Sequence, residues 1–132
     1  MNKLDNFIER TKAYVVTDLE EKLLLEKFKE EVIPYMKRIK ESLDRVEGYD
    51  YFISVGDKIS KLEIHGKEFV IMIESGENCI TINAHNKDDK FAEVERIILK
   101  EGNLFSTKRK QIFTEDILVD YLNETFESII GQ

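Results

Sequence analysis

One stretch of the chain, from Tyr49 to His85, alternates apolar and polar residues through four short segments. Such alternation is typical of strands that bury one face, because successive side chains of a strand point to opposite sides. Glycine-containing pairs separate the segments: Gly56-Asp57, Gly66-Lys67 and Gly76-Glu77. Two-residue loops that begin with glycine favour tight hairpins. The stretch therefore predicts an antiparallel meander, with strands at about Tyr49–Val55, Lys58–His65, Glu68–Ser75 and Asn78–His85.

Helical periodicity flanks this meander on both sides. Apolar residues spaced by three and four predict a first helix from Asn2 to about Val16 and a longer second helix from Asp18 to about Glu47. The second helix follows Thr17-x-x-Glu20, which has the pattern of a capping box, and Pro34 within it predicts a kink. Thr114, followed by two acidic residues, predicts the start of a C-terminal helix.

The segment Phe91–Lys100 fits either a helix or a strand, because its apolar residues suit both periods. The turn-like Glu101-Gly102-Asn103 and the apolar pair after it favour a strand hairpin, and a helix is the alternative. We expect one α+β domain spanning residues 1–132, with two N-terminal helices, an antiparallel meander of four to six strands and one C-terminal helix.

Taking each glycine pair as the centre of its loop fixes which residues of neighbouring strands lie opposite each other. The expected opposed pairs are Ile53 with Ser60, Ile64 with Phe69, and Glu74 with Cys79. The three registers agree on a single apolar face that should pack on the helices. Its members are Tyr49, Tyr51, Ile53, Leu62, Ile64, Phe69, Ile71, Ile73, Ile80, Ile82 and Ala84.

The opposite face has an apolar middle, formed by Phe52, Val70 and Met72, with polar residues around it. If no helix covers this middle, it marks a surface for a partner. The alternative is a third layer, in which the first or the last helix packs on it. The residues expected to contact a partner are Phe52, Lys61, Val70, Met72, Thr81 and Asn83.

The same register places both histidines of the chain beside one carboxylate, in the row His65, Glu68 and His85. Two imidazoles and a carboxylate form a metal-binding set, provided that the three side chains converge on one point. Side chains on a flat sheet project in parallel, which favours the simpler interpretation of a hydrogen-bonded, charged edge. A pH-sensing role is a further alternative, because a histidine near a carboxylate titrates close to neutral pH.

The densest basic cluster is Lys108, Arg109 and Lys110, with Phe105 and Phe113 nearby. Basic side chains bind phosphate and aromatic rings stack on bases, so this cluster is the candidate nucleic-acid site. The net charge of −7 opposes that interpretation. Non-specific nucleic-acid binding depends on neutralising phosphates, and an acidic chain does this poorly. A solvated linker is the favoured interpretation.

No catalytic motif is found in the sequence. Cys79 is the only cysteine, and the predicted register places it about 20 Å from His85 along one strand. No serine or threonine has an adjacent base, and no cofactor motif is present, so we expect neither an enzyme nor a cofactor. The single cysteine, together with the lack of a secretory signal and of a membrane-length apolar run, indicates a cytoplasmic protein.

The leading expectation is a non-enzymatic protein that binds a protein partner as a regulator, an inhibitor or an accessory factor. A homodimer through the long helix is an alternative, because its apolar residues follow a spacing that coiled coils also use. Membrane binding is not expected.

Overall fold

The computed structural model describes residues 2–48 and 50–131. Helix α1 (Lys3–Glu31) and helix α2 (Ile33–Asp44) precede seven strands, and helix α3 (Glu115–Ile130) follows them. The strands are β1 (Tyr51–Val55), β2 (Ile59–Ile64), β3 (Lys67–Glu74), β4 (Cys79–His85), β5 (Phe91–Lys100), β6 (Asn103–Ser106) and β7 (Gln111–Ile112). A single 3₁₀ turn, Ser75–Glu77, joins β3 to β4. Every strand pairs antiparallel with its neighbour in sequence, so the sheet runs in the order β1 to β7.

The predicted α+β architecture is confirmed, and Phe91–Lys100 is a strand rather than a helix. The sheet has seven strands rather than the expected four to six, because the two-residue strand β7 is too short to show alternation in the sequence. Its hairpin with β6 turns at Glu101 and Gly102, which have φ angles of 52° and 80°. Two consecutive residues with positive φ are characteristic of the type I′ turn, whose twist matches that of the flanking strands.

The two N-terminal helices form one bent helix, and the predicted boundary at Thr17 is wrong. The Thr17 hydroxyl donates a hydrogen bond of 3.0 Å to the carbonyl of Ala13, so Thr17 lies inside α1 and caps nothing. Threonine makes this bond to the preceding turn in a helix interior, and no glycine or proline nearby ends the helix. The bend lies at Val32, just before Pro34 in the first turn of α2, as the proline predicts.

One of the three predicted registers is confirmed, and the other two are wrong by two residues. Glu74 does lie opposite Cys79. Ile64, however, lies opposite Lys67 instead of Phe69, and Ile53 lies opposite Leu62 instead of Ser60. The β2–β3 loop consists of His65 and Gly66, with φ angles of 48° and 81°, so it begins one residue earlier than predicted.

A register error of two residues keeps every side chain on its own face, because the strand period is two. The predicted apolar face is therefore correct for the described residues, although Tyr49 lies outside them. This face and the helices share one core. Its buried members include Leu24, Phe28, Met36, Phe69, Ile71, Ile80, Ile82, Ile97, Leu104, Leu118 and Phe126.

Candidate functional site

The face of the sheet that points away from this core is open to solvent. We call it the open face. Phe52 is 55% exposed there and Ile59 is 46% exposed, while Val70 and Met72 are half-buried. The buried apolar residues of the described helices belong to the core on the other side of the sheet. The third layer considered from sequence is therefore absent from the described part of the chain.

The structure brings the six predicted partner-binding residues together on this face. Lys61, Val70 and Asn83 form one row across β2, β3 and β4, and Met72 faces Thr81 in the next row. Phe52 lies beside them on β1. The six residues differ in access to solvent, as Thr81 is only 1% exposed.

Polar groups on the open face are joined by hydrogen bonds around Thr81. Asn83 donates from Nδ2 to the Thr81 hydroxyl at 3.3 Å, and that hydroxyl donates to Oε1 of Glu74 at 3.4 Å. Cys79 lies next to this chain, and its burial raises the pKa of the thiol. A thiol held neutral is a poor nucleophile, so Cys79 has the character of a structural residue.

The apolar middle extends across more strands than the sequence analysis predicted. Ile98 on β5 faces Phe105 on β6, which in turn faces Ile112 on the edge strand β7. The amino group of Lys100 lies 4.4 Å from the centroid of the Phe105 ring, a cation–π contact. The signal for this extension was present in the sequence, because a hairpin about Gly102 with a two-residue loop sets Ile98 opposite Phe105.

Charged side chains surround these apolar residues, and the carboxylates among them outnumber the cations. Lys61 lies 3.4 Å from a carboxylate oxygen of Glu63 and 3.6 Å from one of Glu68. Arg96 contacts Glu77 at 2.6 Å and Glu93 at 2.9 Å, and the hydrogen bond that its guanidinium donates to Glu93 raises the pKa of Arg96. Around the face we find the carboxylates of Glu63, Glu68, Glu74, Glu77 and Glu93, and the cations of Lys61, Arg96 and Lys100.

The predicted row of two histidines around Glu68 does not form. His65 belongs to the β2–β3 turn, and its Nδ1 atom lies 3.3 Å from Oδ2 of Asp50. His85 accepts a hydrogen bond of 2.9 Å at Nδ1 from the backbone amide of Glu68, and its ring lies 5.5 Å from that of Phe91. The two-residue register shift has moved His65 out of the row. Within residues 2–48 and 50–131, no three His, Cys, Asp or Glu side chains could hold a metal together.

The predicted basic cluster sits in the connection between β6 and β7, and its central cation is engaged within the protein. Arg109 pairs with Asp120 at 3.0 Å and Glu124 at 3.4 Å on α3. Its guanidinium also lies 4.5 Å from the centre of the Tyr121 ring. Lys108 and Lys110 are exposed. The three side chains thus offer two exposed positive charges rather than three.

A buried carboxylate, Glu95, was missed by the sequence analysis. It is 2% exposed and accepts hydrogen bonds from the hydroxyls of Ser106 and Tyr121, the latter at 2.7 Å. The backbone amides of Arg96 and Lys108 donate to it as well, at 2.8 and 3.2 Å. Glu95 occupies a core-facing position of β5, on the same side as Ile97 and Leu99. The sequence could have indicated this, because a charged residue stands there at a position where the alternation of the strand predicts an apolar one.

These bonds make Glu95 an anchor between β5, the β6–β7 connection and α3. Burial raises the pKa of Tyr121 to about 12, which keeps its hydroxyl a donor at neutral pH. A cleft of about 310 Å³ opens beside Tyr121, with His85, Lys108 and Thr125 in its wall. Because both carboxylate oxygens of Glu95 are already hydrogen-bonded, Glu95 is not poised as an acid or a base for a ligand there.

A second concavity, of about 460 Å³, lies between α2 and α3. Its wall is mainly apolar, with Tyr35, Ile39, Leu43, Leu118 and Leu122 among its residues. It contains no arrangement of titratable groups that resembles a catalytic site.

No helix in the described part of the chain combines the length and the apolar content needed to cross a bilayer.

Comparison with known proteins gives one result. A family model described as "protein of unknown function (DUF3942)" matches residues 4–130. No curated protein and no solved structure gives a significant match.

Proposed function

This chain belongs to the DUF3942 family, and we propose that it is a non-enzymatic protein that binds a protein partner through the open face of its sheet. The observation that carries the proposal is the set of exposed and half-buried apolar side chains on that face, with Phe52, Ile59 and Met72 on β1 to β3 and Phe105 and Ile112 on β6 and β7. Apolar patches that extend over several strands and have a polar rim are typical of binding surfaces.

Charge defines the chemistry of the partner. The open face carries more carboxylates than cations, and two of its three cations, Lys61 and Arg96, are each paired with two glutamates. Complementary potentials favour encounter and suppress wrong partners. We therefore propose a partner segment with apolar side chains flanked by lysine or arginine. A second copy of this face would bring like charges together, so self-association through it is disfavoured.

The proposed role is that of a regulator, an inhibitor or an accessory factor, since binding alone is what this surface offers. The lone cysteine, Cys79, is buried and unpaired. A free thiol is compatible with a reducing compartment, and we propose that the protein acts in the cytoplasm.

Site-specific photocrosslinking in the cell of origin tests the proposal. A photoreactive phenylalanine analogue is placed at Phe52 or at Ile59, both exposed on the open face. The same analogue at Val119, which is exposed on α3, is the matched control. We expect the same discrete protein to be captured from positions 52 and 59 but not from 119, and its crosslinked peptide to contain apolar and basic residues.

The capture should also depend on the chemistry of the face. Phe52→Lys with Glu63→Lys, in protein carrying the analogue at position 59, should abolish the crosslinked product, because these changes remove an apolar contact and place positive charge against a basic partner. Equal capture from positions 52, 59 and 119, or a product that survives the double substitution, would overturn the proposal.

A further inference from the structure

The N-terminal half of α1 extends beyond the domain. Every residue from Asn2 to Glu20 is exposed, whereas Leu24 and Phe28 further along the same helix are completely buried. Among residues 2–48 and 50–131, the only hydrogen bond between this half and the rest of the domain joins Nδ2 of Asn78, in the β3–β4 connection, to the carbonyl of Thr17 at 3.5 Å. A helical segment of this kind gains no stability from the core of its own domain, and short isolated helices are marginal in water.

This exposed segment is nevertheless apolar along one side. Leu4, Ile8, Thr11 and Val15 follow each other at spacings of four, three and four, which is the seam of a two-helix coiled coil. Phe7 and Tyr14 flank the seam on one side. Leu4 is 64% exposed and Tyr14 is 73% exposed. The seam ends at the next turn, where Asp18 and then Lys22 take the corresponding positions.

The charges on the other flank of the seam select the orientation of a partner helix. Asp5 and Lys12 are one heptad apart on that flank. In an antiparallel pair the equivalent flanks of the two helices face each other, so Asp5 of each copy meets Lys12 of the other. In a parallel pair, the flank that carries Asp5 and Lys12 on one helix faces the flank that carries Phe7 and Tyr14 on the other helix. No ion pair can then form across the seam. Charges at these flanking positions are known to set partner choice and orientation.

We propose that two copies of this chain associate through an antiparallel pair of α1 segments spanning residues 3–16. Leu4 of one copy packs against Val15 of the other, and Ile8 packs against Thr11. Two Asp5–Lys12 ion pairs border this seam on one side, and the Phe7 and Tyr14 rings border it on the other. Lys12 lies 3.6 Å from Glu9 within its own helix, an exposed contact that leaves it free to exchange partners.

The expected dimer is weak. The seam runs for twelve residues, or about 18 Å at 1.5 Å per residue. One helical face of this length buries less than the roughly 800 Å² per partner of a standard interface. We expect a dissociation constant on the order of 100 µM, so that the chain exchanges between monomer and dimer at high concentration.

Analytical ultracentrifugation from 5 µM to 1 mM at low salt measures the association. Leu4→Lys with Ile8→Lys should leave only monomer at every concentration, because both changes place charge in the seam. Both residues lie in the exposed part of α1, so the domain should stay folded, which circular dichroism checks. Val46→Lys with Val119→Lys, two exposed valines elsewhere on the surface, is the control and should dimerise like the wild type.

A charge exchange tests the pairing itself. Asp5→Lys and Lys12→Asp should each weaken dimerisation, roughly five- to tenfold, since each creates two like-charged contacts. The double variant, Asp5→Lys with Lys12→Asp, should restore the affinity of the wild type. A parallel dimer, or one formed by another surface, would not show that rescue.

Disulfide formation reports the orientation directly. In protein carrying Cys79→Ala, a Leu4→Cys chain mixed with a Val15→Cys chain should give the mixed disulfide, and Leu4→Cys alone should give little. A monomer at 1 mM, a dimer insensitive to the seam substitutions, or efficient self-linking of Leu4→Cys would each overturn the inference. Its residues are distinct from those of the open face, so either proposal can fail while the other stands.

Discussion

At the scale of single residues, Glu95 accepts more hydrogen bonds than any other side chain in the described part of the protein. Its carboxylate receives two hydroxyl and two amide hydrogen bonds in the interior of the domain. A buried carboxylate costs free energy unless it is fully hydrogen-bonded, and losing one donor leaves part of that cost uncompensated. The alternation of β5 could have shown that Glu95 faces the core, but its donors lie 11 and 26 residues away, and only the fold brings them together.

Removing the Tyr121 hydroxyl should therefore destabilise the protein. We expect Tyr121→Phe to lower the free energy of unfolding by about 1–3 kcal/mol, because a buried acceptor loses its donor while the ring remains. Urea unfolding followed by circular dichroism measures the change. Tyr14→Phe, at an exposed position, is the control and should be within about 0.5 kcal/mol of the wild type. Equal stability of Tyr121→Phe and wild type would contradict the anchoring role of Glu95.

The same tyrosine should make stability depend on pH in the alkaline range. Burial raises the pKa of Tyr121 from 10.0 to about 12 in the folded protein. Below pH 10 both states keep the proton, so the full contribution is present. Between pH 10 and 12 the unfolded state loses the proton first, and the contribution falls. The stability difference between wild type and Tyr121→Phe should thus shrink over this window. A difference that stays constant from pH 9 to 12 would argue against the raised pKa.

At the scale of elements, two threonines with similar sequence contexts play different roles. Thr17 and Thr114 each precede acidic residues in the pattern of a helix start. Only Thr114 has extended backbone angles and accepts a hydrogen bond, of 3.4 Å, from the amide of Ile117. The difference lies in what precedes each residue. Thr114 follows a strand and its connection, whereas Thr17 follows fourteen helical residues that nothing interrupts.

Substitution of the two threonines by alanine separates these roles. Thr114→Ala should lower the free energy of unfolding by about 1 kcal/mol, because the first turn of α3 loses its cap. Thr17→Ala should have no effect or stabilise slightly, since alanine is the better helix former in a helix interior. Thermal and urea denaturation of both variants measure the contrast. A loss of stability in Thr17→Ala equal to that in Thr114→Ala would contradict the continuous α1.

The hairpins show why the faces of the sheet could be predicted more reliably than its pairings. Turn residues place a loop to within a residue or two, and a shift of two preserves the face of every side chain. His65 took part in the β2–β3 turn because His-Gly can adopt the two positive φ angles of a type I′ loop. The β2–β3 pairing, and with it the predicted metal row, depended on that single residue.

At the scale of the whole molecule, the described helices cover the sheet on one side only. The sequence could show that the second face has an apolar middle, but alternation within strands carries no information on where the helices pack. Likewise, helical periodicity in the first twenty residues could not reveal that this part of α1 projects from the domain. The open face and the projecting part of α1 both depend on long-range packing. In the described structure, each leaves apolar side chains exposed.

Substitutions on the open face should leave the fold intact. Phe52→Asp with Ile59→Asp should change the free energy of unfolding by no more than about 1 kcal/mol, because both side chains are about half exposed and contribute little to the core. Ile71→Asp, on the buried face of β3, should unfold the domain. Urea titrations distinguish these outcomes. A large loss of stability on the open face would mean that its apolar residues serve the fold.

Whether the open face binds a protein partner can be decided by calorimetry, which measures the affinity of the crosslinked partner for three purified proteins. These are the wild type, Phe52→Lys with Ile59→Lys, and the matched Val46→Lys with Val119→Lys. We expect the open-face variant to bind at least tenfold more weakly, because it has lost apolar anchors. The matched variant should bind like the wild type. Equal affinities for all three proteins would contradict partner binding by the open face.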